Sequence, residues 1–200
     1  MRRIRSVLAA LLILSFGLVI GLRLFLPWED LGELVFLEAS RELSRSGIFL
    51  QASRFDEEGV VPVFVVDRVE MEGFGGGATF GTVKVRPMPL GSILSGTPTA
   101  SIELIGGAVS LPGDRGRRIG GFLEVSYGQG RITIAEIEMD GDIKASGSLS
   151  ISPSNGRIVE ADVTLKAPSD LDGALSMASR FMPLSRNGEG EWTLKRKGGK

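Results

Sequence analysis

The sequence predicts a mainly β fold with flanking helices, in which an N-terminal transmembrane helix precedes a curled, mostly antiparallel sheet. Three observations predict this fold. An uncharged apolar run opens the chain, apolar and polar residues alternate through most of the remainder, and 28 of the 200 residues are glycine. Alternation with a period of two is typical of strands that bury one face, and glycine is typical of the turns between such strands.

The apolar run extends over residues 6–26 and is interrupted only by Arg23. At ~1.5 Å per residue it is about 30 Å long as a helix, which matches the hydrocarbon core of a bilayer. Three arginines within residues 1–5 precede the run, and Glu29 and Asp30 follow it. Because positive residues stay in the cytoplasm, we expect the rest of the chain to be exported.

A cleaved signal peptide is the alternative interpretation of this run. Its apolar part would be about 7–15 residues long and would end at a small-x-small site. The run is longer than that and ends in RLFLPW without an Ala-x-Ala site. The sequence therefore favours a single-pass protein of the inner membrane with a cytoplasmic N-terminus. Its predicted parts are a cytoplasmic stub (1–5), a transmembrane anchor (6–26), a periplasmic β-rich domain (27–197) and a loose tail (198–200).

Two helices and a series of strands are predicted in the exported part. Leucines recur at helical spacing over 30–46, and apolar residues recur similarly over 169–182, so both segments are predicted helices. A short helical turn is predicted over 90–96. Strands are predicted over 48–55, 61–72, 78–87, 122–127, 131–139, 143–151, 157–166 and near the C-terminus. An acidic turn at 56–59 is expected to end the first strand, and the Gly106-Gly107 pair is expected to join two short strands as a hairpin.

The clearest alternation lies between residues 122 and 166. Ala145, Gly147 and Leu149 share one face of a predicted strand, and serines occupy the other. The isoleucines before Ala135-Glu136 are out of phase with those after it, which predicts a bulge there. About nine strands at ~4.8 Å make a sheet that curls unless it closes. Its apolar face is then either a packed core or a trough that holds a ligand, and the pattern does not separate the two.

The composition excludes several classes of function. The chain contains no cysteine and no histidine, which excludes Ser-His-Asp and Cys-His catalysis and most zinc sites. No S-x-x-K motif is present. The formal charge is −1, with 23 basic and 24 acidic residues, so no strong field favours nucleic acid. We therefore expect a non-enzymatic protein without a cofactor and without a nucleic-acid partner.

Three motifs invite a ligand-binding interpretation, and each has a simpler one. The adjacent acids Asp56-Glu57-Glu58 suggest a cation site, but such acids are usually solvated in a turn. Asp140-Gly141-Asp142 resembles half of a calcium loop but lacks the following Glu, so a tight hairpin is favoured. The GFGGG segment lacks the helix and the G-K-[ST] of a phosphate loop. No metal-binding, cofactor-binding or catalytic residue is therefore predicted.

Arg115, Arg117 and Arg118 form a basic loop within residues 113–118. They are the candidate contact residues, either for the acidic face of a protein partner or for anionic lipid. The alternative is an ordinary solvated loop.

Four segments carry a resemblance to a known family. They are GIFLQ, VKVRPMPLGSILSGTPTASIELIGGAVS, LDGALSMASRFMPL and GEGEWTLKRKG. Together they resemble type II secretion system protein N over about residues 5 to 198, a family that is similar in turn to the AsmA-like lipid-transport proteins of the periplasm. The positions that carry the match are Arg86, Pro87, Leu90, Ile93, Leu94, Gly106, Gly107, Gly190, Trp192 and Leu194.

The resemblance implies an accessory component of a secretion apparatus, with protein partners and no catalytic residue. Exposed strand edges or the loop at 113–118 would then contact neighbouring subunits, for example by β-augmentation. The second hypothesis is an AsmA-like lipid-binding protein that holds acyl chains along its apolar sheet face. An exported enzyme is the third class, and without histidine or cysteine it would depend on Ser/Lys or carboxylate chemistry.

Overall fold

The computed structural model describes residues 21, 27–45, 49–58, 63–73, 76–110, 116–152, 157–180 and 182–197. Within these residues, eleven strands form one antiparallel sheet flanked by three helices. None of the helices in these ranges is both long and apolar enough to cross a bilayer. The predicted anchor at 6–26 lies outside the described residues, apart from Gly21, as does the predicted tail at 198–200.

The elements follow the chain in a simple order. The helices are α1 (Trp28–Arg45), α2 (Pro89–Ser95) and α3 (Asp172–Ala178), and a 3₁₀ turn at Ser169–Leu171 leads into α3. The strands are β1 (Phe49–Gln51), β2 (Arg54–Glu58), β3 (Val63–Gly73), β4 (Gly76–Pro87), β5 (Thr99–Ser110), β6 (Arg117–Gly128), β7 (Arg131–Gly141), β8 (Lys144–Ser152), β9 (Arg157–Lys166), β10 (Leu184–Gly188) and β11 (Glu191–Arg196).

The sheet is an open meander with two edges. Strands β3 to β9 lie side by side in chain order, and β11 and then β10 extend the sheet beyond β9. At the other edge β1 and β2 both pair with β3. The strands at the two edges have only three to five residues each, which limits unwanted edge-to-edge pairing.

The predicted first strand, 48–55, is wrong in its continuity, because the segment divides into β1 and β2. Strand β3 explains the division. Arg68 has a φ of 52°, which is unusual for a residue with a side chain, and it separates the part of β3 that pairs with β2 from the part that pairs with β1. The predicted acidic turn at 56–59 is also wrong at residues 56–58, which belong to β2.

The predicted hairpin at Gly106-Gly107 is wrong, since both glycines lie inside the continuous strand β5. Gly106 has a φ of 62°, and the register between β5 and β6 shifts between Leu104 and Gly107. The pair therefore forms a bulge. A Cβ atom at Gly107 would collide with the ring of Phe80 on the neighbouring strand, so the second glycine leaves room for that ring.

The bulge predicted near Ala135-Glu136 is confirmed. The register of β7 with β8 shifts between Ile134 and Ile137, and its register with β6 shifts between Glu124 and Val125 on the partner strand. Without the extra residue, Ile134 and Ile137 would point to opposite faces. With it, both pair with apolar residues of the same sheet face.

The three helices lie at the margins of the sheet. Helix α1 confirms the prediction over 30–46, and α2 confirms the short turn over 90–96. Gly32 of α1 lies against the ring of Phe64, where a Cβ atom would be 2.6 Å from the ring. Further along α1, Ser40 Oγ donates a hydrogen bond to the carbonyl oxygen of Leu50 at 2.9 Å.

The helix predicted over 169–182 is shorter than expected. A 3₁₀ turn occupies 169–171, and the α-helix ends at Ala178. Pro183 lies in the segment that follows, and a residue before proline disfavours the helical conformation. The chain then continues into β10.

The antiparallel order gives the sheet two distinct ends. Residues 57–58, 63–64, 86–99, 126–131, 151–152, 157–160, 179–180, 182–185 and 195–197 form one end, which we call the upper end. The lower end is formed by residues 72–73, 76–77, 106–110, 116–119, 139–144, 166–172 and 188–191. Since Gly32 lies near Phe64 and Ser40 near Leu50, helix α1 begins toward the upper end and runs toward the lower end.

Candidate functional site: the apolar face of the sheet

One face of the sheet carries an unbroken row of paired apolar residues. Residues that are directly opposite on neighbouring strands share a face. The first row crosses nine strands and consists of Phe64, Val85, Ile102, Leu123, Ile137, Gly147, Val163, Leu194 and Leu184, each paired with the next. We call the surface that contains this row the apolar face.

Two further rows run parallel to the first on the same face. Toward the lower end they are Val66, Val83, Leu104, Gly121, Met139, Ala145, Leu165 and Trp192. Toward the upper end they are Pro87, Ala100, Val125, Ile134, Leu149 and Ala161, and this row finishes at Arg196. Sequence alternation predicted the face strand by strand, but the continuity across strands depends on the register.

The apolar face is only partly buried. Ile137, Val163 and Ala161 are less than 10% exposed, and many of its other residues are intermediate in exposure. Ala100, Val125, Ile134 and Leu149 are all intermediate in exposure. In the described part of the chain, no large side chain is less than 2% exposed. A sheet that packs its apolar face against a second layer buries it, so a single layer with a partly exposed face has room for an apolar ligand.

The lower end of the apolar face is the better covered part. Leu171 of the 3₁₀ turn and Trp192 of β11 are each 3% exposed. The indole Nε1 of Trp192 donates to Asp172 Oδ1 at 2.8 Å, and Arg186 also contacts the Asp172 carboxylate. This carboxylate therefore joins α3 to β10 and β11.

The predicted basic loop at 113–118 is wrong at Arg117 and Arg118, which are the first residues of strand β6. Both lie at the lower end and have partners within the chain. Arg117 forms an ion pair with Asp170 of the 3₁₀ turn. Arg118 lies 3.7 Å from Asp142, whose carboxylate also accepts a hydrogen bond from the Arg118 backbone at 2.8 Å. Arg115 lies outside the described residues. The side chain of Arg118 is 87% exposed, so it keeps access to a partner.

The acidic motifs have local partners as well. Asp56 lies 3.3 Å from Arg54 in β2. Asp140 lies 3.0 Å from Lys144 across the hairpin between β7 and β8. The hydrogen bond from Lys144 lowers the pKa of Asp140, and the backbone of Gly141 and the charge of Lys144 lower it further. Across the described ranges no group of three or more acids is arranged to hold a metal ion.

The structure gives physical roles to positions that carry the family resemblance. Trp192 is buried against α3, and Gly107 accommodates Phe80. Gly190 has a φ of 67°, and its carbonyl oxygen accepts a hydrogen bond from the amide of Ala167 at 2.9 Å. These positions shape the sheet and its lower end.

The sequence matches a family described as type II secretion system protein GspN-like, Synergistales, over residues 5–196. The chain belongs to this GspN-like family. The family relates the chain to type II secretion and therefore to protein partners in a complex. Neither a curated protein nor a solved structure matches the GspN-like chain significantly.

Sequence reasoning missed one feature, which is the difference in charge between the two ends of the sheet. The signal was present, because in a meander every second connection lies at the same end. From β4 onward, the upper-end connections 88–98, 129–130 and 153–156 contain no acid, whereas the lower-end connections 142–143 and 189–190 each contain one.

Proposed function

We propose that this GspN-like chain is a non-enzymatic, single-pass inner-membrane component of a type II secretion system. Residues 6–26 would anchor it, with the N-terminus in the cytoplasm and the sheet in the periplasm. The observation that carries the proposal is the family match over residues 5–196, which includes the whole apolar run and the whole sheet. The arginines before the run support the orientation.

The sheet offers a specific mode of contact to neighbouring subunits. Among the described strands, β10 pairs only with β11, so its outer edge presents backbone groups to a further strand. Ser185 and Asn187 are exposed on this strand. Addition of a partner strand at β10 would extend the sheet by main-chain hydrogen bonds. The exposed guanidinium of Arg118 supplies a second contact at the lower end.

Photo-crosslinking in cells tests the proposed contacts. A photoreactive amino acid would replace Ser185 at the β10 edge or Arg118 at the lower end. The matched control is Ser148, which is exposed on the polar face of the central strand β8. We expect secretion subunits to be captured from position 185 or 118 and not from 148. Failure to capture any secretion subunit from both positions would refute the proposal.

The topology can be tested separately because the chain contains no cysteine. A single cysteine at Ser148 should react with a membrane-impermeant maleimide in intact spheroplasts. A single cysteine at Arg3 should react only after the membrane is permeabilised. The opposite pattern would place the sheet in the cytoplasm and contradict the exported topology.

A second candidate function, the binding of lipid, is favoured by the three apolar rows. Their partly buried side chains form a continuous surface across the sheet, and an acyl chain could remove its exposed area from water at about 25 cal/mol per Å². In this function the apolar face would hold lipid while the sheet is held at the membrane by the anchor.

The lipid hypothesis can be tested with two adjacent positions of β8. Leu149 lies on the apolar face and Ser148 on the polar face. An environment-sensitive dye on a cysteine at 149 should shift its emission to shorter wavelength when phospholipid is added to delipidated protein. The same dye at 148 should not respond. Equal responses, or the absence of bound phospholipid in protein extracted in mild detergent, would argue against a lipid-binding face.

A further inference from the structure

The two ends of the sheet differ in charge. The described residues of the upper end include seven basic residues, namely Arg86, Arg131, Arg157, Arg180, Lys195, Arg196 and Lys197. Its acids are Glu57 and Glu58 at the β2 corner and Glu160 of β9, and Glu124, Glu136 and Asp162 lie in the cross-strand row of Arg86 and Lys195. The outermost residues from β4 to β11 include Arg131, Arg157 and Arg180 and no acid among the described residues. The lower end contains both acidic and basic residues, and its basic residues form ion pairs. The pairs are Arg117 with Asp170, Arg118 with Asp142, Lys144 with Asp140 and Lys166 with Glu191.

Most upper-end cations have no such pair within the part of the chain that the structure describes. Lys195 lies 3.9 Å from Asp162, and Arg157 has a contact of its own. The other five, Arg86, Arg131, Arg180, Arg196 and Lys197, have no ion-pair partner among the residues that the structure describes. Cations that the fold does not neutralise are available to an external anionic surface.

Apolar side chains are exposed among these cations. Ile93 of α2 is 77% exposed, Tyr127 at the end of β6 is 53% exposed, and Met182 before β10 is 45% exposed. Basic residues interspersed with exposed apolar and tyrosine side chains are typical of surfaces that contact lipid headgroups.

The spacing of the cations favours an extended surface over a single anion. Arg86 and Arg131 lie on strands three positions apart, and so do Arg131 and Arg196. At ~4.8 Å between strands, the strands of each pair are about 14 Å apart, and the two residues also differ in their position along the strands. A single phosphate group cannot contact cations at that spacing, but a layer of anionic headgroups can.

The position of α1 brings the same end toward the predicted anchor. Helix α1 begins at Trp28, two residues after the apolar run, and its first turns lie toward the upper end. Asp30 and Glu33 are exposed on that helix, so this corner is acidic. The favourable contact is therefore confined to the margin from β4 to β11, and we expect the sheet to tilt that margin toward the bilayer.

We propose that the upper end of the sheet docks on the anionic headgroups of the membrane that holds the anchor. The proposal rests on the membrane anchoring in the proposed function and adds the orientation of the domain. Each Lys or Arg near an anionic surface changes the docked population about fivefold, because each contributes ~1 kcal/mol.

Fluorescence quenching with the full-length chain in nanodiscs tests the docking. Single cysteines would replace Met182 at the upper end or Glu189 at the lower end, each labelled with a fluorophore that nitroxide-headgroup lipids quench. In discs of phosphatidylethanolamine and phosphatidylglycerol we expect quenching at 182 and little at 189. In discs of phosphatidylcholine, or in high salt, the quenching at 182 should decrease.

Charge variants complete the test. Arg131→Gln with Arg196→Gln should reduce docking up to about 25-fold, and the lower-end control Lys144→Gln with Lys166→Gln should leave quenching at 182 unchanged. Equal quenching at 182 and 189 in nanodiscs that contain the chain would overturn the docking and leave the anchor intact. An acidic protein would then be the partner that fits the cations. Quenching insensitive to anionic lipid would also overturn it. Failure of the chain to co-purify with discs would overturn the anchor and the docking together.

Discussion

The lower and upper ends of the sheet are built from the same strands, but they use their polar residues differently. At the lower end, charged side chains pair with one another, and Asp172 accepts from the indole of the buried Trp192. At the upper end, Arg131 and Arg196 have no ion-pair partner in the described ranges, and Ile93 is 77% exposed. The difference indicates that the lower end maintains the fold and that the upper end is available for contacts outside the chain.

The two ends differ because charged side chains at the lower end are partly buried. An ion pair that is partly removed from water contributes more than an exposed one, and its loss leaves a charge without a partner. Asp172 has a side chain only 16% exposed, so its contacts are part of the packing at the lower end. Substitutions there should change stability, whereas charge substitutions at the upper end should change binding.

Trp192→Ala should have the largest effect on stability. It removes a side chain that is 3% exposed and also the donor to Asp172. Truncation of a buried aromatic costs about 3–5 kcal/mol, measured as the free energy of unfolding in urea by circular dichroism. The control is Met177→Ala in α3, where the side chain is 65% exposed and the expected change is within about 0.5 kcal/mol. Similar losses for both variants would contradict the packing at the lower end.

Two glycines with the same backbone conformation allow the packing at the two ends to be compared directly. Gly190 at the lower end and Gly130 at the upper end both have a φ of 67°. Alanine in that region costs about 1–2 kcal/mol by itself. At Gly190 a Cβ atom would also collide with the carbonyl of Ala167, whereas at Gly130 no atom lies within 4 Å.

We therefore expect Gly190→Ala to destabilise the fold by about 3 kcal/mol and Gly130→Ala by about 1 kcal/mol. The same urea titration measures both variants. A cost at Gly130 equal to that at Gly190 would show that the lower end is not the more tightly packed one.

The strands and their faces could be predicted from the sequence where alternation is local. Leu149 and Ala145 were placed on the apolar face correctly, and the bulge at Ala135-Glu136 followed from a change of phase. The division of the first strand could not be predicted, because it depends on the φ of Arg68 in a different strand. The glycine pair in β5 was misread as a turn for a similar reason, since the Phe80 ring that occupies the space beside Gly107 comes from β4.

The candidate site was predictable only in part. The apolar face was expected, but its continuous rows required the register between strands that are distant in sequence. The basic loop was chosen because Arg115, Arg117 and Arg118 are adjacent in sequence. The upper-end cations are separated by whole strands, so only the topology brings them to one margin.

Neutralising one arginine at each end should separate their roles. Arg117→Gln removes the ion pair with Asp170, and the Arg117 side chain is only 22% exposed. Since the Asp170 side chain is 58% exposed, solvent screening limits the expected loss to about 1 kcal/mol. Arg131→Gln should change the free energy of unfolding by less than about 0.5 kcal/mol. If Arg131→Gln were the more destabilising variant, the assignment of the two ends would be reversed.

The smallest expected effect concerns the pKa of Asp140 at the lower end. The hydrogen bond from Lys144 is the largest cause of its lowered pKa, and the Gly141 amide is the next. Lys144→Met should therefore raise the pKa toward the usual aspartate value without fully restoring it, as followed by the carboxyl carbon shift in an NMR titration. Because a lowered pKa means that the folded state favours the charged carboxylate, this stabilisation is present above the usual pKa and is lost as the pH falls through the lowered one.

Lys195→Met, which removes a cation at the upper end, is the matched control and should leave the Asp140 titration unchanged. An equal shift in both variants would mean that Asp140 responds to the total charge of the protein. A shift confined to Lys144→Met would show that charges at the lower end are neutralised by their immediate neighbours. Local neutralisation at the lower end would contrast with the upper end, where Arg131 and Arg196 have no ion-pair partner among the described residues.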